Sequence, residues 1–297
     1  MTAALWEICH CKYFRLNLRI RSGKTRYQYE VALRSFERSL GHAPTIADLN
    51  DDSITLWMGQ LLAQEKPALS THTVRERVNR VLALWTWLHK RGVVPTCSTV
   101  IKPQPPEPLP QALTEEQLRR LFESANKERG TIDDIPANLW WCSFLAFVWN
   151  TSERKGAALA VKIAWLDLEA GMVAIPPEAR KGRLKWGVYE IWPETIKLLR
   201  RVIAVNPARD LVWPWDRHEG SYYTSYNRIL RDAGIPVTRK TKTHGLRCSH
   251  ATYLKVAGGD PMQQLGHSDM ATTVRHYLDP KLTRVKQPKL LIPWTSP

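Results

Sequence analysis

The sequence predicts a mainly α-helical protein with a small β-sheet, an α+β organisation in which an all-α N-terminal domain precedes a larger domain that contains the sheet. The chain has 297 residues, which is long for a single domain and favours two. Prolines recur through residues 102–110, where they exclude a helix and favour a semi-rigid linker. Apolar residues recur at helical spacing on both sides of this linker. We therefore expect domains at residues 1–101 and 111–297.

Three main helices are predicted in the N-terminal domain. The first ends at Gly41, and the third runs from a cap at Ser70 and Thr71 to Gly92. The inward positions of the three helices are Tyr29, Ala32, Leu33, Phe36 and Leu40; then Ile54, Trp57, Met58, Leu61 and Leu62; then Val74, Val78, Val81, Leu82, Trp85 and Leu88.

Apolar and polar residues alternate before these helices. The apolar positions are Phe14, Leu16, Leu18 and Ile20, and the intervening positions are Arg15, Asn17, Arg19 and Arg21. A period of two predicts a strand or an extended segment with one basic edge. We expect residues 1–23 to form a basic arm.

The C-terminal domain is predicted to begin with a helix, because residues 114–117 (TEEQ) form a capping-box pattern. A helical stretch follows from Trp140 to Lys162. The sequences GMVAIPP and WGVYEIWP predict a strand pair joined by a basic turn around residues 181–185. From Thr243 onward the pattern is helical again.

The charge of the chain favours a polyanionic partner. Lys and Arg number 43 against 28 Asp and Glu, which gives a net charge of +15, and both domains share the excess. Such a protein attracts nucleic acid through its long-range field. Arg75, Arg77 and Arg80 on the third helix are candidate contacts for a DNA backbone, although a solvated helix face explains them equally well.

The five cysteines follow no disulfide or zinc pattern. Their odd number and spacing favour free thiols in a reducing compartment, and Cys9-His10-Cys11 is too tight for the usual zinc spacing. The sequence has no signal-peptide pattern and no apolar run of membrane-spanning length. We expect a cytoplasmic, nucleoid-associated protein that contacts no membrane.

The candidate chemistry lies near the C-terminus, in His244-Gly-Leu-Arg247, Leu265-Gly266-His267 and Tyr277. A surface pair, a loop turn and a core aromatic residue would account for each motif alone. On a helix, however, residues three apart share a face, so His244 and Arg247 point the same way. The ordered set within 34 residues is far more specific than its parts.

This set resembles the C-terminal signature of the tyrosine recombinase (phage integrase) family, which has His-x-x-Arg, Leu-Gly-His and a nucleophilic tyrosine in this order. The resemblance extends upstream: Arg154 in TSER stands at the family's first catalytic arginine, residues 165–168 (WLDL) match the stretch that follows it, and Lys181 stands in the turn of the catalytic lysine. Lys185 is a rival for that lysine. The linker, TEEQLRRLF and the arginine-rich third helix are also similar to the family.

The resemblance implies site-specific DNA recombination, as integration or excision, through a 3′-phosphotyrosine intermediate and without a metal ion or other cofactor. The implied catalytic residues are Tyr277, Arg154, Lys181, His244, Arg247 and His267, with Arg183 and Lys185 as further DNA contacts. The implied partner is double-stranded DNA with inverted core half-sites, bound as a homotetramer on two duplexes by a protein that is a monomer or dimer when free.

The chemistry explains these residue types independently of the family. In-line displacement at a phosphodiester spreads negative charge over the transition state, which two arginines can clamp with bidentate hydrogen bonds. Positive surroundings favour the tyrosine phenolate, and its attack stores the bond energy in a covalent phosphotyrosine. A lysine on the turn can protonate the leaving oxygen, and histidines can transfer protons or hydrogen-bond the phosphate.

The sequence departs from the family pattern at three places. Ala157 stands where the family has an acidic residue three positions after its first arginine, so another group is expected to hold the arginine region. The segment between Arg247 and His267 is about three residues shorter than usual, nearly one helical turn. The tyrosine comes one residue late, with His276 at the usual position. Tyr253, on the helix of Arg247, is interpreted as a packing residue.

Two other functions remain compatible with the sequence. A type IB topoisomerase-like enzyme would use the same chemistry to nick and close DNA without exchanging strands, and a non-catalytic relative would bind DNA without cutting it. The tail, residues 278–297, ends in an apolar stretch that includes Leu290, Leu291, Ile292 and Trp294. It is expected either to dock on a neighbouring protomer or to pack on its own domain.

Overall fold

The computed structural model describes residues 4–283 except 19, 108, 183 and 219. The chain divides into two compact units, Met1–Glu107 and Pro108–Pro297. The mainly helical fold with a small sheet, predicted from the sequence, is confirmed. The apolar tail residues Leu290, Leu291, Ile292 and Trp294 lie outside the described residues, as does Arg183.

The first unit is helical. Its elements are α1 (Leu5–Glu7), a π-helical turn (Ile8–Tyr13), α2 (Phe14–Leu16), α3 (Gly23–Leu40), a 3-10 turn (Ile46–Asp48), α4 (Asp51–Ala63) and α5 (Thr71–His89). The three predicted helices correspond to α3, α4 and α5. As expected, α3 ends at Gly41, which takes the left-handed conformation, and the Ser70 side chain accepts the Thr73 N–H at the start of α5. Leu62 is exposed and not part of the core.

The strand or extended segment predicted to start at Phe14 is wrong for its first residues, because Phe14–Leu16 form α2. Residues 5–16 are helical. Leu5, Ile8 and Tyr13 recur at helical spacing and are buried in the core of the unit, whereas Leu16 and Leu18 are exposed. The burial of one helical face therefore outweighs the short alternating pattern.

The second unit wraps a small sheet with helices. Its elements are α6 (Glu115–Asn126), β1 (Thr131–Ile132), β2 (Ile135–Pro136), α7 (Ala137–Thr151), α8 (Lys155–Leu159), 3-10 turns (Ile163–Trp165 and Pro177–Ala179), β3 (Leu166–Asp167), β4 (Met172–Ile175), β5 (Gly187–Glu190), α9 (Pro193–Val205), α10 (Ser221–Asp232), α11 (Thr243–Val256), α12 (Pro261–Leu265), α13 (Met270–Tyr277) and α14 (Pro280–Thr283). The predicted capping box at Thr114 is present. The predicted strand pair is β4–β5, with Val173 opposite Tyr189, and β3 adds a third antiparallel strand.

Helix α7 forms the centre of this unit because most of its residues are apolar and buried on all sides. It ends at Ser152, which takes the left-handed conformation with φ of 55°. This break in the helical stretch predicted for Trp140 to Lys162 turns the chain, so that Glu153 and Arg154 lie between α7 and α8.

The chain enters the second unit along α11. The N–H of Ala112 donates to Oδ2 of Asp279 at 2.9 Å, and the N–H of Leu113 donates to Oγ of Ser249 at 2.7 Å. The Tyr253 hydroxyl donates to the carbonyl oxygen of Leu113 at 3.1 Å. The last of these bonds gives Tyr253 a structural role.

All five cysteines are free thiols. Among the described helices, none combines the length and apolar character needed to cross a lipid bilayer.

Candidate active site

Tyr277 is the last residue of α13 and its side chain is buried, with 7% exposed. Helix α13 begins at a cap in which the Asp269 side chain accepts the N–H groups of Ala271 and Thr272. The backbone around Tyr277 is held by α11: the Thr252 hydroxyl donates to the Tyr277 carbonyl at 3.1 Å and accepts the Asp279 N–H at 3.0 Å. The position of Tyr277 is therefore fixed within its own chain.

Two histidines pack against the Tyr277 ring. The His267 and Tyr277 ring centroids are 4.6 Å apart, and those of His244 and Tyr277 are 5.2 Å apart. Nδ1 of His267 forms a 2.9 Å hydrogen bond with Oγ1 of Thr273. Because His244 is on α11 and His267 follows α12, three separate helices converge on one aromatic ring.

Arg247 is fully buried beneath the same ring, with its guanidinium carbon 5.5 Å from the Tyr277 centroid. Its Nη1 donates to the carbonyl oxygen of Ser152, and its Nη2 donates to that of Leu265 at 2.8 Å. Its Nε has no hydrogen-bond partner among the described residues. A buried donor without a partner is costly, and a bound anion would satisfy it.

Arg154 lies half-buried at the start of α8 and adds positive charge to the site. Burial, followed by the charge of Arg154, lowers the pKa of Arg247. Since arginine remains protonated at neutral pH, the pocket holds two neighbouring cations.

The histidines of the site are neutral at pH 7. His244 is exposed at the edge of the site, yet desolvation of its imidazole, followed by the charges of Arg247 and Arg154, lowers its pKa to about 4. Burial, then the charges of Arg247 and Arg154, lower the pKa of His267 to about 4. Burial also lowers the pKa of His250, one turn beyond Arg247, to about 4. Desolvation and nearby cations both disfavour an imidazolium.

The structure brings Tyr277, His244, Arg247 and His267 together. Arg154 is close enough to contribute to the lowered pKa values of His244, Arg247 and His267. Lys181 and Lys185 are exposed on the turn between β4 and β5. No three His, Cys, Asp or Glu side chains of the described residues are grouped so that they could hold a metal ion.

The three arginines of α5 are half-buried and have partners within the first unit. Arg75 donates to the Pro103 carbonyl at 3.2 Å and to the Gln104 side chain, whereas Arg77 donates weakly to Oγ of Ser35. Arg80 pairs with Glu76 at 3.1 Å and lies over the Tyr29 ring. Their role as DNA contacts stays a prediction.

A second buried cluster adjoins the site and was missed by the sequence analysis. Glu153, Arg180 and Tyr189 form a hydrogen-bonded network under the turn that carries Lys181. The signal in the sequence was indirect: with Ala157 at the family's acidic position, the nearest carboxylate is Glu153, and the alternation along β5 directs Gly187 and Tyr189 inward.

Comparison with known proteins identifies the family. The model of the phage integrase family matches residues 111–284, more than half of the chain and all of the elements described above for the site. The chain belongs to the phage integrase family. The matched region begins next to Ala112 and Leu113, and it includes Arg154, Lys181 and Tyr277.

Curated relatives of this integrase-family chain are tyrosine recombinases. Tyrosine recombinase XerC of Xanthomonas axonopodis pv. citri is 24% identical over 233 residues, which cover 71% of this chain and 68% of the relative. Tyrosine recombinase XerD of Haemophilus ducreyi is 26% identical over 276 residues, covering 89% and 90%.

Solved structures show the same fold. A lambda integrase fragment, residues 75–356, crystallised as a dimer bound to a COC′ core site, has a TM-score of 0.71 at 13% identity and covers 98% of this chain and 100% of that one. The XerH site-specific recombinase in a post-cleavage complex with its difH substrate has a TM-score of 0.66 at 20% identity, covering 91% and 78%. At these identities the likeness concerns the fold alone.

Proposed function

We propose that this chain catalyses site-specific recombination of double-stranded DNA, with Tyr277 as the nucleophile that breaks and rejoins the strands. The observation that carries the proposal is the convergence of His244, Arg247 and His267 on the Tyr277 ring within one chain. A nucleophile beside cationic and neutral proton-transfer groups is the arrangement that phosphoryl transfer requires.

In the proposed reaction, the phenolic oxygen of Tyr277 attacks the scissile phosphorus and the bond from phosphorus to the 5′ oxygen breaks. The products are a 3′-phosphotyrosine and a free 5′ hydroxyl. The phenolic proton passes to a neighbouring imidazole, which is able to accept it because both ring histidines are neutral at pH 7. The leaving oxygen takes a proton from Lys181, with Lys185 as the alternative.

Rejoining reverses these steps with the 5′ hydroxyl of the partner strand. Each step breaks one phosphoester bond and forms another, so the reaction needs no energy from a nucleotide and no metal ion to balance it. Arg154 and Arg247 stabilise the additional negative charge of the transition state, and the unpaired Nε of Arg247 supplies one donor for a phosphate oxygen.

The proposed active assembly is a homotetramer on two duplexes with inverted half-sites. This proposal is supported by the fold shared with lambda integrase, which has been solved as a tetramer bound to a Holliday junction. The positive charge of +15 favours the approach of two DNA duplexes to one protein assembly.

The test is covalent trapping. The full chain is incubated in EDTA with a random-sequence pool of nicked duplexes, and the adducts that survive boiling in detergent are recovered. Sequencing the trapped DNA identifies the target, and mass spectrometry of the linked peptide is expected to identify Tyr277. An adduct at another residue, or a reaction that EDTA stops, would overturn the proposal.

A further inference from the structure

A buried ion pair connects the segment of Arg154 to the turn of Lys181. Nε of Arg180 donates to Oε1 of Glu153 at 2.5 Å, and the side chains of Arg180 and Glu153 are 9% and 1% exposed. The Tyr189 hydroxyl donates to the same carboxylate oxygen at 2.6 Å and accepts from Nη2 of Arg180 at 2.9 Å. Each of these groups is thus partnered in a setting where an unpaired charge would be costly.

Arg180 also closes the turn itself. Its Nη1 donates to the carbonyl oxygens of Lys185 and Trp186 at 3.1 and 2.8 Å. Gly187 lies directly against the guanidinium, where a Cβ atom would approach Nε of Arg180 to 2.9 Å. Because Arg180 directly precedes Lys181 in the sequence, its side chain ties the end of this turn back to the start of the turn.

The same network reaches two further parts of the site. Oε2 of Glu153 accepts the backbone N–H of Arg154 at 3.0 Å. Gly266, with φ of 66°, precedes His267, and a Cβ atom there would lie 3.3 Å from Nη2 of Arg180. Arg180 is thus in contact with the segments that contribute the first arginine, the turn lysine and the second histidine.

We propose that Arg180 is a positioning residue that holds the turn of the proton-donating lysine in place. Glu153 anchors Arg180 and takes over the task of the carboxylate that the family pattern has three residues after Arg154, where this chain has Ala157. The proposal rests on the proposed function, because it assigns the effect of Arg180 to protonation of the leaving 5′ oxygen.

The test uses a duplex in which the leaving 5′ oxygen at the cleavage site is replaced by sulfur. A 5′ thiolate leaves without a proton donor, because thiols ionise near ~8.5 and alcohols only at much higher pH. Arg180→Met is expected to slow adduct formation by about a hundredfold on the oxygen form of the trapped duplex, the usual range for loss of a general acid. The sulfur form should react at nearly the wild-type rate. The ratio of the two rates, measured on one preparation, does not depend on how much of the variant is folded.

Two controls make the outcome specific. Lys181→Met, or Lys185→Met if that lysine is the donor, should reproduce the rescue by sulfur. Arg209 is a matched control, because its side chain is also buried (7% exposed) and forms an ion pair with Asp133, which lies between β1 and β2. Arg209→Met should change both rates by the same factor.

Equal losses on the oxygen and sulfur duplexes for Arg180→Met, or no loss on either, would overturn the positioning role while the wild-type adduct at Tyr277 still upholds the proposed function. If the wild-type chain forms no adduct with either duplex, the proposed function fails, and the inference that depends on it fails too.

Discussion

The His267 imidazole packs against the Tyr277 ring, with their centroids 4.6 Å apart and their planes inclined by 60°. Nδ1 of His267 is engaged by Thr273, on the same helix as Tyr277. The Leu-Gly-His motif and the tyrosine are therefore held together, and the later position of the tyrosine in the sequence is compatible with a ring contact.

Replacing Tyr277 by Phe is expected to abolish the covalent adduct and to leave DNA binding nearly unchanged, because only the attacking oxygen is removed. Adduct formation is measured on denaturing gels, and affinity by gel shift. Tyr253→Phe is the matched control, since it removes a hydroxyl from a tyrosine that bonds the Leu113 carbonyl. Adduct remaining in the Tyr277 variant would assign the nucleophile elsewhere.

Replacing Arg154 or Arg247 by Ala should slow cleavage by about a hundredfold or more, because both stabilise charge that develops in the transition state. Affinity for DNA should fall much less. Single-turnover rates and binding constants for the same variants separate the two effects. A loss confined to affinity would contradict a role in the chemical step.

Arg75, Arg77 and Arg80 should show the opposite behaviour. Loss of each is expected to weaken binding and to reduce the slope of log affinity against log salt by about one. Arg80→Ala also removes a contact with Tyr29, so its melting temperature is measured alongside. Unchanged slopes in stable variants would favour the solvated helix face as the explanation of these arginines.

The helices and the order of the motifs could be predicted from the sequence because periodicity and short-range capping determine them locally. The helical structure of Phe14–Leu16 could not, since it depends on the burial of Leu5, Ile8 and Tyr13 in the helical segment before it. Arg180 resembles any other basic residue of a basic turn. Its partners come from the end of α7 and from β5, and only the assembled fold brings them together.

The stability of the protein should fall as the pH is lowered from about 6.5 towards 4. His244, His250 and His267 have pKa values of about 4 in the folded chain. The unfolded chain binds protons at its ordinary histidine pKa of about 6.5. As the pH falls, the unfolded state therefore binds protons before the folded state does. The contribution of these histidines to stability is complete above about pH 6.5 and is lost as the pH falls from about 6.5 to about 4. NMR titration of the imidazole signals measures the midpoints, and three midpoints near 6.5 would refute the prediction.

The site should be assembled in cis. Tyr277 contacts His244, Arg247 and His267 of its own chain, and Thr252 fixes its backbone. A mixture of Tyr277→Phe and Arg247→Ala chains is therefore expected to form no more adduct than either variant alone. Recovery of adduct in the mixture would mean that a protomer donates its tyrosine to a neighbour.

The hydrogen bonds of Ala112 and Leu113 determine where the second unit can be separated from the first in a shortened protein. A fragment that begins at residue 114 would retain Arg154, Lys181 and Tyr277, yet it would lack both N–H donors that reach Asp279 and Ser249. The segment after Tyr277 would then lose one of its attachments. A fragment that begins at residue 111 keeps these bonds. Compared with the fragment that begins at residue 114, its three additional residues are expected to hold the segment after Tyr277, and with it the position of the tyrosine.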